Sequence, residues 1–64
     1  MSDIDTLKAE VKKLNAQATT LKMDLHDLSE ELPQQWERIP EVAAKTFEAY
    51  QKLDAARKAL AAAS

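Results

Sequence analysis

The feature that most constrains this chain is an unbroken apolar seam between residues 4 and 32. Its members are spaced alternately three and four residues apart: Ile4, Leu7, Val11, Leu14, Ala18, Leu21, Leu25, Leu28 and Leu32. A period of 3.5 is typical of a helix that packs against other helices along its whole length. The sequence therefore predicts a first helix over about residues 3–32, with Ser2 as its N-cap.

Two prolines end this helical pattern and open a second one. Pro33 bars a regular continuation of the first helix, and Pro40 suits the first position of a new helix. Ile39 is expected to be extended, because a proline ring disfavours the helical conformation of the residue before it. We therefore predict a connection over residues 33–40 and a second helix over about residues 40–62.

The second helix carries an apolar stripe with smaller side chains than the first. Its members are Val42, Thr46, Ala49, Leu53, Ala56, Leu60 and Ala63. Small residues that face large ones let two helices interdigitate. Because the connection is short, the helices must turn back on each other. The predicted fold class is all-α, an antiparallel two-helix hairpin that forms a single domain over residues 1–64.

A hairpin of 64 residues is too small to bury both apolar stripes by itself. Chains below roughly 70–80 residues usually need disulfides, a metal or oligomerisation, and this one has no Cys and one His. Oligomerisation is the route left, and pairing two hairpins into a four-helix bundle buries both stripes. We expect at least a homodimer, whose core is formed by Leu7, Val11, Leu14, Leu21, Leu25, Leu28, Leu53 and Leu60.

Charge placement suggests how the two hairpins are oriented. Carboxylates crowd the last turns of the first helix, where the helix dipole disfavours them, whereas Arg57 and Lys58 lie near the far end of the second helix. Each acidic end would meet a basic end if the two connections lay at opposite ends of the dimer. That orientation is our prediction.

The aromatic residues lie in or after the connection. Trp36, with Ile39, is expected to cap the open end of the helical core, because a buried aromatic contributes a large contact area. The alternative is that Trp36 is an exposed binding residue. Phe47 and Tyr50 lie beside the second stripe and are expected to pack at its rim.

One cluster of side chains could bind a metal or a partner. His26 lies outside the seam, Asp27 is adjacent to it, and Glu30 follows one helical turn later. His and carboxylate ligands at this spacing suit a divalent metal, although a solvated acidic patch explains them as well. Met23 also points away from the seam, and adaptable Met side chains suit protein contacts. The candidate interaction surface is Met23, His26 and Trp36.

Composition argues against several functional classes. A formal net charge of −2 disfavours nucleic acid and anionic membranes as partners. No apolar run approaches the ~20 residues of a membrane span, and the chain begins without a signal-like segment, so we expect a cytoplasmic protein. The absence of Gly excludes a glycine-rich phosphate loop. No nucleophile and base converge, so no catalytic residue, no cofactor and no enzymatic activity are predicted.

The chain resembles a small family found in nitrogen-fixation gene clusters, the Rop-like or NifX-associated family. The resemblance rests on LKMDLHDLSEELP at residues 21–33, QQWERIPEV at residues 34–42 and AYQKL at residues 49–53. It covers nearly the whole chain, and the Leu-Pro…Trp-Glu-Arg-Ile-Pro part is the most specific.

This resemblance implies a dimeric helical hairpin with an accessory role in nitrogen fixation. It implies action near nitrogenase cofactor or cluster assembly, with a nitrogenase maturation protein as the partner, and it carries over no catalytic residue. Two alternatives remain: a divalent-metal-handling protein that uses His26, Asp27 and Glu30, and an RNA-binding bundle, which the acidic balance of the chain disfavours.

Overall fold

The computed structural model describes residues 3–63 and contains two long helices. Helix α1 spans Asp3–Glu31, helix α2 spans Ile39–Ala63, and a 3-10 turn at Trp36–Arg38 precedes α2. Asp3 and Asp5 lie in the first turn of α1, where the helix dipole favours negative charge. The predicted N-cap, Ser2, lies outside the described residues. Helix α1 ends one residue before Leu32, the last member of the seam.

The two helices lie side by side in opposite directions and form the predicted all-α hairpin. The molecule measures 50 × 14 × 12 Å, which is the length of one helix and the cross-section of two. The 29 residues of α1 account for most of that length, because a helix rises about 1.5 Å per residue. No strand occurs between residues 3 and 63. The predicted fold class is therefore confirmed at the level of the hairpin.

The buried core of the hairpin is small. Ala18, Leu28, Val42 and Leu53 are its buried hydrophobic residues, and Ala18 is completely inaccessible to solvent. A second group of stripe residues is only half-buried: Leu7, Val11, Leu14, Leu21, Leu25, Thr46, Ala49, Ala56 and Leu60. The two ends of the seam, Ile4 and Leu32, are exposed. One chain thus leaves most residues of its two apolar stripes partly accessible to solvent.

The helices approach closely near the middle of α1. The hydroxyl oxygen of Thr46 lies 3.3 Å from the backbone carbonyl oxygen of Leu21 on α1 and 2.8 Å from that of Val42 on its own helix. A side chain on α2 reaches the backbone of α1 only if little lies between the two. Ala18, one turn before Leu21, supplies that room because it has no side chain beyond Cβ.

The connection is ordered by its own hydrogen bonds. Gln35 takes the left-handed conformation, with φ 59° and ψ 26°, which glycine usually occupies at such a position. The Gln34 amide donates to the Glu31 carbonyl, and the Arg38 amide donates to the Gln35 carbonyl, each at 3.0 Å. The peptide bond between Leu32 and Pro33 is cis.

Ile39 is helical, so the expectation of an extended residue before Pro40 is wrong. Its φ and ψ are −54° and −50°, and its backbone N–H bonds to the Trp36 carbonyl. Helix α2 therefore begins at Ile39, with Pro40 in second place. Proline is tolerated there because the first four N–H groups of a helix have no partner within the helix. The steric bias against a helical residue before proline is a preference, and this hydrogen bond outweighs it.

Candidate interaction surface

The outward side of α1 carries an exposed pair of polar side chains. His26 Nε2 lies 3.3 Å from Glu30 Oε2, one helical turn away, and both side chains are well exposed. Ser29, between them, donates its hydroxyl to the His26 carbonyl at 2.6 Å. These contacts are all local to α1, so the pair remains accessible to an external ligand or protein.

The described part of one chain, residues 3–63, does not form a three-ligand metal site. Among residues 3–63, no group of three His, Cys, Asp or Glu side chains lies close enough to share an ion. Asp27 therefore does not join His26 and Glu30. Two ligands on an exposed helix are too few for a specific site, and the predicted metal site would need a second chain to complete it.

Met23 extends this side of α1. Its side chain is half exposed, and the spacing from Met23 to His26 to Glu30 is three residues and then four. Residues at these spacings lie on one face of a helix. Together the three form a mixed apolar and polar strip opposite the seam, which we call the α1 outer strip.

Trp36 does not cap the core of its own hairpin. Its side chain is 61% exposed, and the neighbouring Leu32 and Ile39 are 40% and 38% exposed. The expected capping role therefore fails within a single chain. The cause is local, because the 3-10 turn fixes the direction of Trp36 and two helices are too few to form an end that the indole ring could cover.

Phe47 is a surface residue that the sequence pattern assigned to rim packing. It is 70% exposed, more than any other large hydrophobic residue described, while Tyr50 is 40% exposed. The sequence did contain the signal. Phe47 follows Thr46 of the stripe directly, and one residue turns a helix by about 100°, which carries Phe47 well off the buried side.

The two helices differ in how many of their charged residues are paired. On α2, ion pairs one turn apart join Glu41 to Lys45, Glu48 to Lys52 and Asp54 to Lys58, at 3.0–3.6 Å. Within residues 3–63, Arg57 takes part in no ion pair, and on α1 the pair of His26 with Glu30 is the one formed. The remaining α1 charges are available for contacts with another chain.

These charges are also unevenly distributed along the hairpin. The contact between Thr46 and Leu21 divides the molecule into a loop half, residues 22–45, and an open half that contains the free ends of both helices. The loop half has six carboxylates against three Lys or Arg, and the open half has five against six. The loop half is therefore acidic, and the open half is slightly basic.

Two large-scale features are absent from the described part of the chain. No pocket is present in residues 3–63. Neither helix within that range is long and apolar enough to cross a membrane.

Several bacterial proteins are similar to this chain. A UPF0437 protein of Azorhizobium caulinodans is 57% identical over 60 residues, which cover 94% of this chain and 87% of the relative. The UPF0437 protein y4xE of Sinorhizobium fredii is 52% identical and covers 97% of this chain and 92% of its own. A relative from Frankia alni, 43% identical over 80% of this chain and 62% of its own, is named for its place in the nifX-nifW intergenic region.

A solved structure and a family model agree with these relatives. An NMR structure of a protein 63% identical in sequence superposes with a TM-score of 0.86 and covers 97% of this chain and 89% of that one. A family model described as Rop-like matches residues 2–64. The suspected resemblance is thus confirmed over the length of the hairpin. The chain belongs to the Rop-like family, one member of which is encoded among nitrogen-fixation genes.

Proposed function

We propose that this protein is a non-catalytic accessory protein of nitrogen fixation that works as a dimeric protein–protein interaction module near nitrogenase cofactor or cluster assembly. The nifX-nifW position of the Frankia alni relative supports the biological setting. The dimer is supported by the apolar seam, most of whose residues are only half-buried in a single chain. We propose that residues 1–64 act as one domain.

The dimer is proposed because the single hairpin leaves its stripes incompletely covered. Of the predicted dimer core, Leu28 and Leu53 are buried in one chain, while Leu7, Val11, Leu14, Leu21, Leu25 and Leu60 are half-buried. Burial of apolar surface contributes roughly 25 cal/mol per Å², so a second hairpin placed on these residues would add substantially to stability. The resulting unit is a homodimeric four-helix bundle.

The surface offered to another protein is the α1 outer strip, represented by Met23 and His26. It lies opposite the seam, so it stays accessible once a second hairpin covers the seam. Trp36, the third member of the predicted surface, lies in the connection instead. Within residues 3–63 there is no pocket and no group of three His, Cys, Asp or Glu side chains that could share a metal ion.

A pull-down from nitrogen-fixing bacterial cells tests the proposal. The tagged wild-type chain should enrich a nitrogenase maturation protein, and Met23→Glu should lose it because a charge then lies in the apolar part of the contact. Ala9→Glu is the matched control, since Ala9 is also exposed on the same side of α1 but lies about 21 Å before Met23 along the helix axis. Enrichment of no nitrogenase-related protein would reject the proposed role.

Metal handling is a second candidate function, favoured by the 3.3 Å approach of His26 to Glu30. In a dimer two such pairs could contribute to one ion. Calorimetric titration with Zn²⁺ should then give a defined stoichiometry per dimer that His26→Ala abolishes. Heat that His26→Ala does not change would assign the binding to scattered carboxylates.

RNA binding is the least favoured candidate. It would require affinity for RNA hairpins that falls steeply with salt, because phosphate neutralisation by Lys and Arg dominates such affinity. The acidic loop half leaves only the open half to supply those cations.

A further inference from the structure

The exposed apolar residues of the connection form a feature that the proposed function does not use. Leu32, Trp36 and Ile39 lie within eight residues of one another, and all three are exposed. Each keeps more than a third of its surface open to solvent. We call this group the loop-end patch.

The loop-end patch is held by an ordered backbone. The amides of Gln34, Arg38 and Ile39 all donate to carbonyls of the turn or of the end of α1. The Gln35 side-chain amide donates to Glu31 Oε1 at 3.3 Å, and Arg38 Nη1 donates to Gln35 Oε1 at 3.2 Å. A partner that binds Trp36 would therefore lose little free energy in ordering the segment.

The charges beside the patch indicate what kind of surface covers it. Glu31 and Glu37 flank Trp36, and neither takes part in an ion pair within residues 3–63. Arg38 is engaged with Gln35. An occupant should therefore combine exposed apolar side chains with cations that are not already paired.

The open half of a second copy meets these requirements. It carries Arg57, which forms no ion pair in the described chain. The neighbouring Lys58 is paired with Asp54 of its own helix, but both side chains are well exposed, so Lys58 can also approach a carboxylate of another chain. The apolar residues of the open half include the exposed Ile4 and the half-buried Leu60. In an antiparallel dimer of two 50 Å rods, the connection of each chain reaches the free helix ends of the other.

We propose that the loop-end patch is an inter-chain cap: Trp36 of each hairpin packs on the open end of the second copy, with Glu31 and Glu37 beside Arg57 and Lys58 of that copy. The inference rests on the proposed dimer and fixes its orientation, with the two connections at opposite ends. Trp36 then does cap a core, but the core belongs to the four-helix bundle rather than to one hairpin.

Trp36 is the one tryptophan in the sequence, so its fluorescence reports directly on this contact. Sedimentation equilibrium first gives the dimer dissociation constant. Emission and acrylamide quenching are then measured above and below that concentration. In the dimer, the emission should shift to shorter wavelength and quenching should become several-fold less efficient, with both changes following the dimer fraction.

Two variants make the test specific. Trp36→Ala should weaken dimerisation at least tenfold, whereas Phe47→Ala, which removes an aromatic side chain that is even more exposed, should leave it unchanged. Glu31→Lys/Glu37→Lys should also weaken the dimer at low salt. If the two connections lay at the same end, this reversal would relieve repulsion between carboxylates and tighten the dimer.

The outcomes separate this inference from the proposed function. A dimer in which Trp36 stays as quenchable as in the monomer overturns the inter-chain cap and leaves the dimer standing. A tighter dimer for Glu31→Lys/Glu37→Lys overturns the orientation. A chain that stays monomeric at all concentrations overturns both the cap and the proposed dimer.

Discussion

At the scale of single residues, Ala18 sets the distance between the helices. It is fully buried in a seam otherwise made of larger side chains, so a larger residue has no free volume to enter. Ala18→Leu should lower the free energy of unfolding by about 1–3 kcal/mol, as is typical of overpacking. Urea unfolding followed by circular dichroism measures the change.

Ala16→Leu is the matched control for this prediction. Ala16 is exposed on the same helix, and leucine is nearly as good a helix former as alanine, so stability should hardly change. A stable Ala18→Leu variant would mean that the helices move apart at little cost and that Ala18 does not fix their separation.

Thr46 supplies a polar contact between the helices. Its hydroxyl is part-buried and lies within hydrogen-bonding distance of two carbonyl oxygens, one of them on α1. Thr46→Val keeps the shape and removes the hydroxyl, so it should cost about 0.5–1.5 kcal/mol, the usual net contribution of one hydrogen bond. Chemical denaturation gives the difference.

Thr20→Val separates the inter-helix contact from the intra-helix one. Thr20 also bonds the carbonyl four residues earlier, at 3.1 Å, but it is exposed and this hydrogen bond stays within α1. Its replacement should be nearly neutral. Equal costs at Thr46 and Thr20 would show that the approach to Leu21 contributes nothing.

At the scale of the elements, the connection is where backbone strain is concentrated. Gln35 has a positive φ, a conformation that costs a residue with a Cβ roughly 1–2 kcal/mol relative to glycine. Gln35→Gly removes that strain, which stabilises the folded state. Two effects oppose it: the loss of two exposed side-chain hydrogen bonds and the larger chain entropy of the unfolded state. We expect a net stabilisation of up to about 1 kcal/mol, measured as a higher denaturation midpoint.

Gln34→Gly is the control for the turn. Gln34 is the neighbouring residue and does not have a positive φ, so glycine there should only add unfolded-state entropy and destabilise the protein. Stabilisation by both substitutions would indicate general loosening of the connection instead of relief of strain at Gln35.

The elements also explain how far the sequence could predict the structure. The seam spacing and the two prolines are local signals, and they were sufficient for two helices and a hairpin. Ile39 was assigned wrongly because a hydrogen bond to Trp36 decided its conformation, and such a bond is visible only once the turn is known. Trp36 was assigned to a core that a single chain does not form, since its environment depends on the assembly.

The candidate surface was predictable only in part. Met23 and His26 were placed outside the seam by helical periodicity, and the structure leaves both exposed. The spacing alone already indicates that Asp27 does not join His26 and Glu30, because adjacent residues point in different directions on a helix. The hydrophobic character of Phe47 favours packing at the rim, but its position one residue beyond the stripe places it on the exposed side.

At the scale of the whole molecule, the uneven charge of the hairpin can select how two copies are oriented in a dimer. Two antiparallel hairpins place each acidic loop half against the slightly basic open half of the other. Exposed ion pairs contribute only about 0.2–1 kcal/mol each, so this term selects orientation more than it drives association. The apolar seam supplies most of the association free energy.

This division of roles gives a prediction for salt dependence. Arg57→Glu/Lys58→Glu makes the open half acidic, so at low salt the dimer should weaken about tenfold, equivalent to about 1.4 kcal/mol from a few exposed charges. At 1 M salt the Debye length falls to about 3 Å, and the variant should dimerise like the wild type. Sedimentation equilibrium at both salt concentrations measures the two constants.

Lys22→Glu/Lys45→Glu changes the net charge equally but lies in the loop half, so it should leave the dimer unchanged or tighter. If both variants weakened the dimer alike, net charge rather than its placement would govern association, and the connections would have no electrostatic reason to lie at opposite ends.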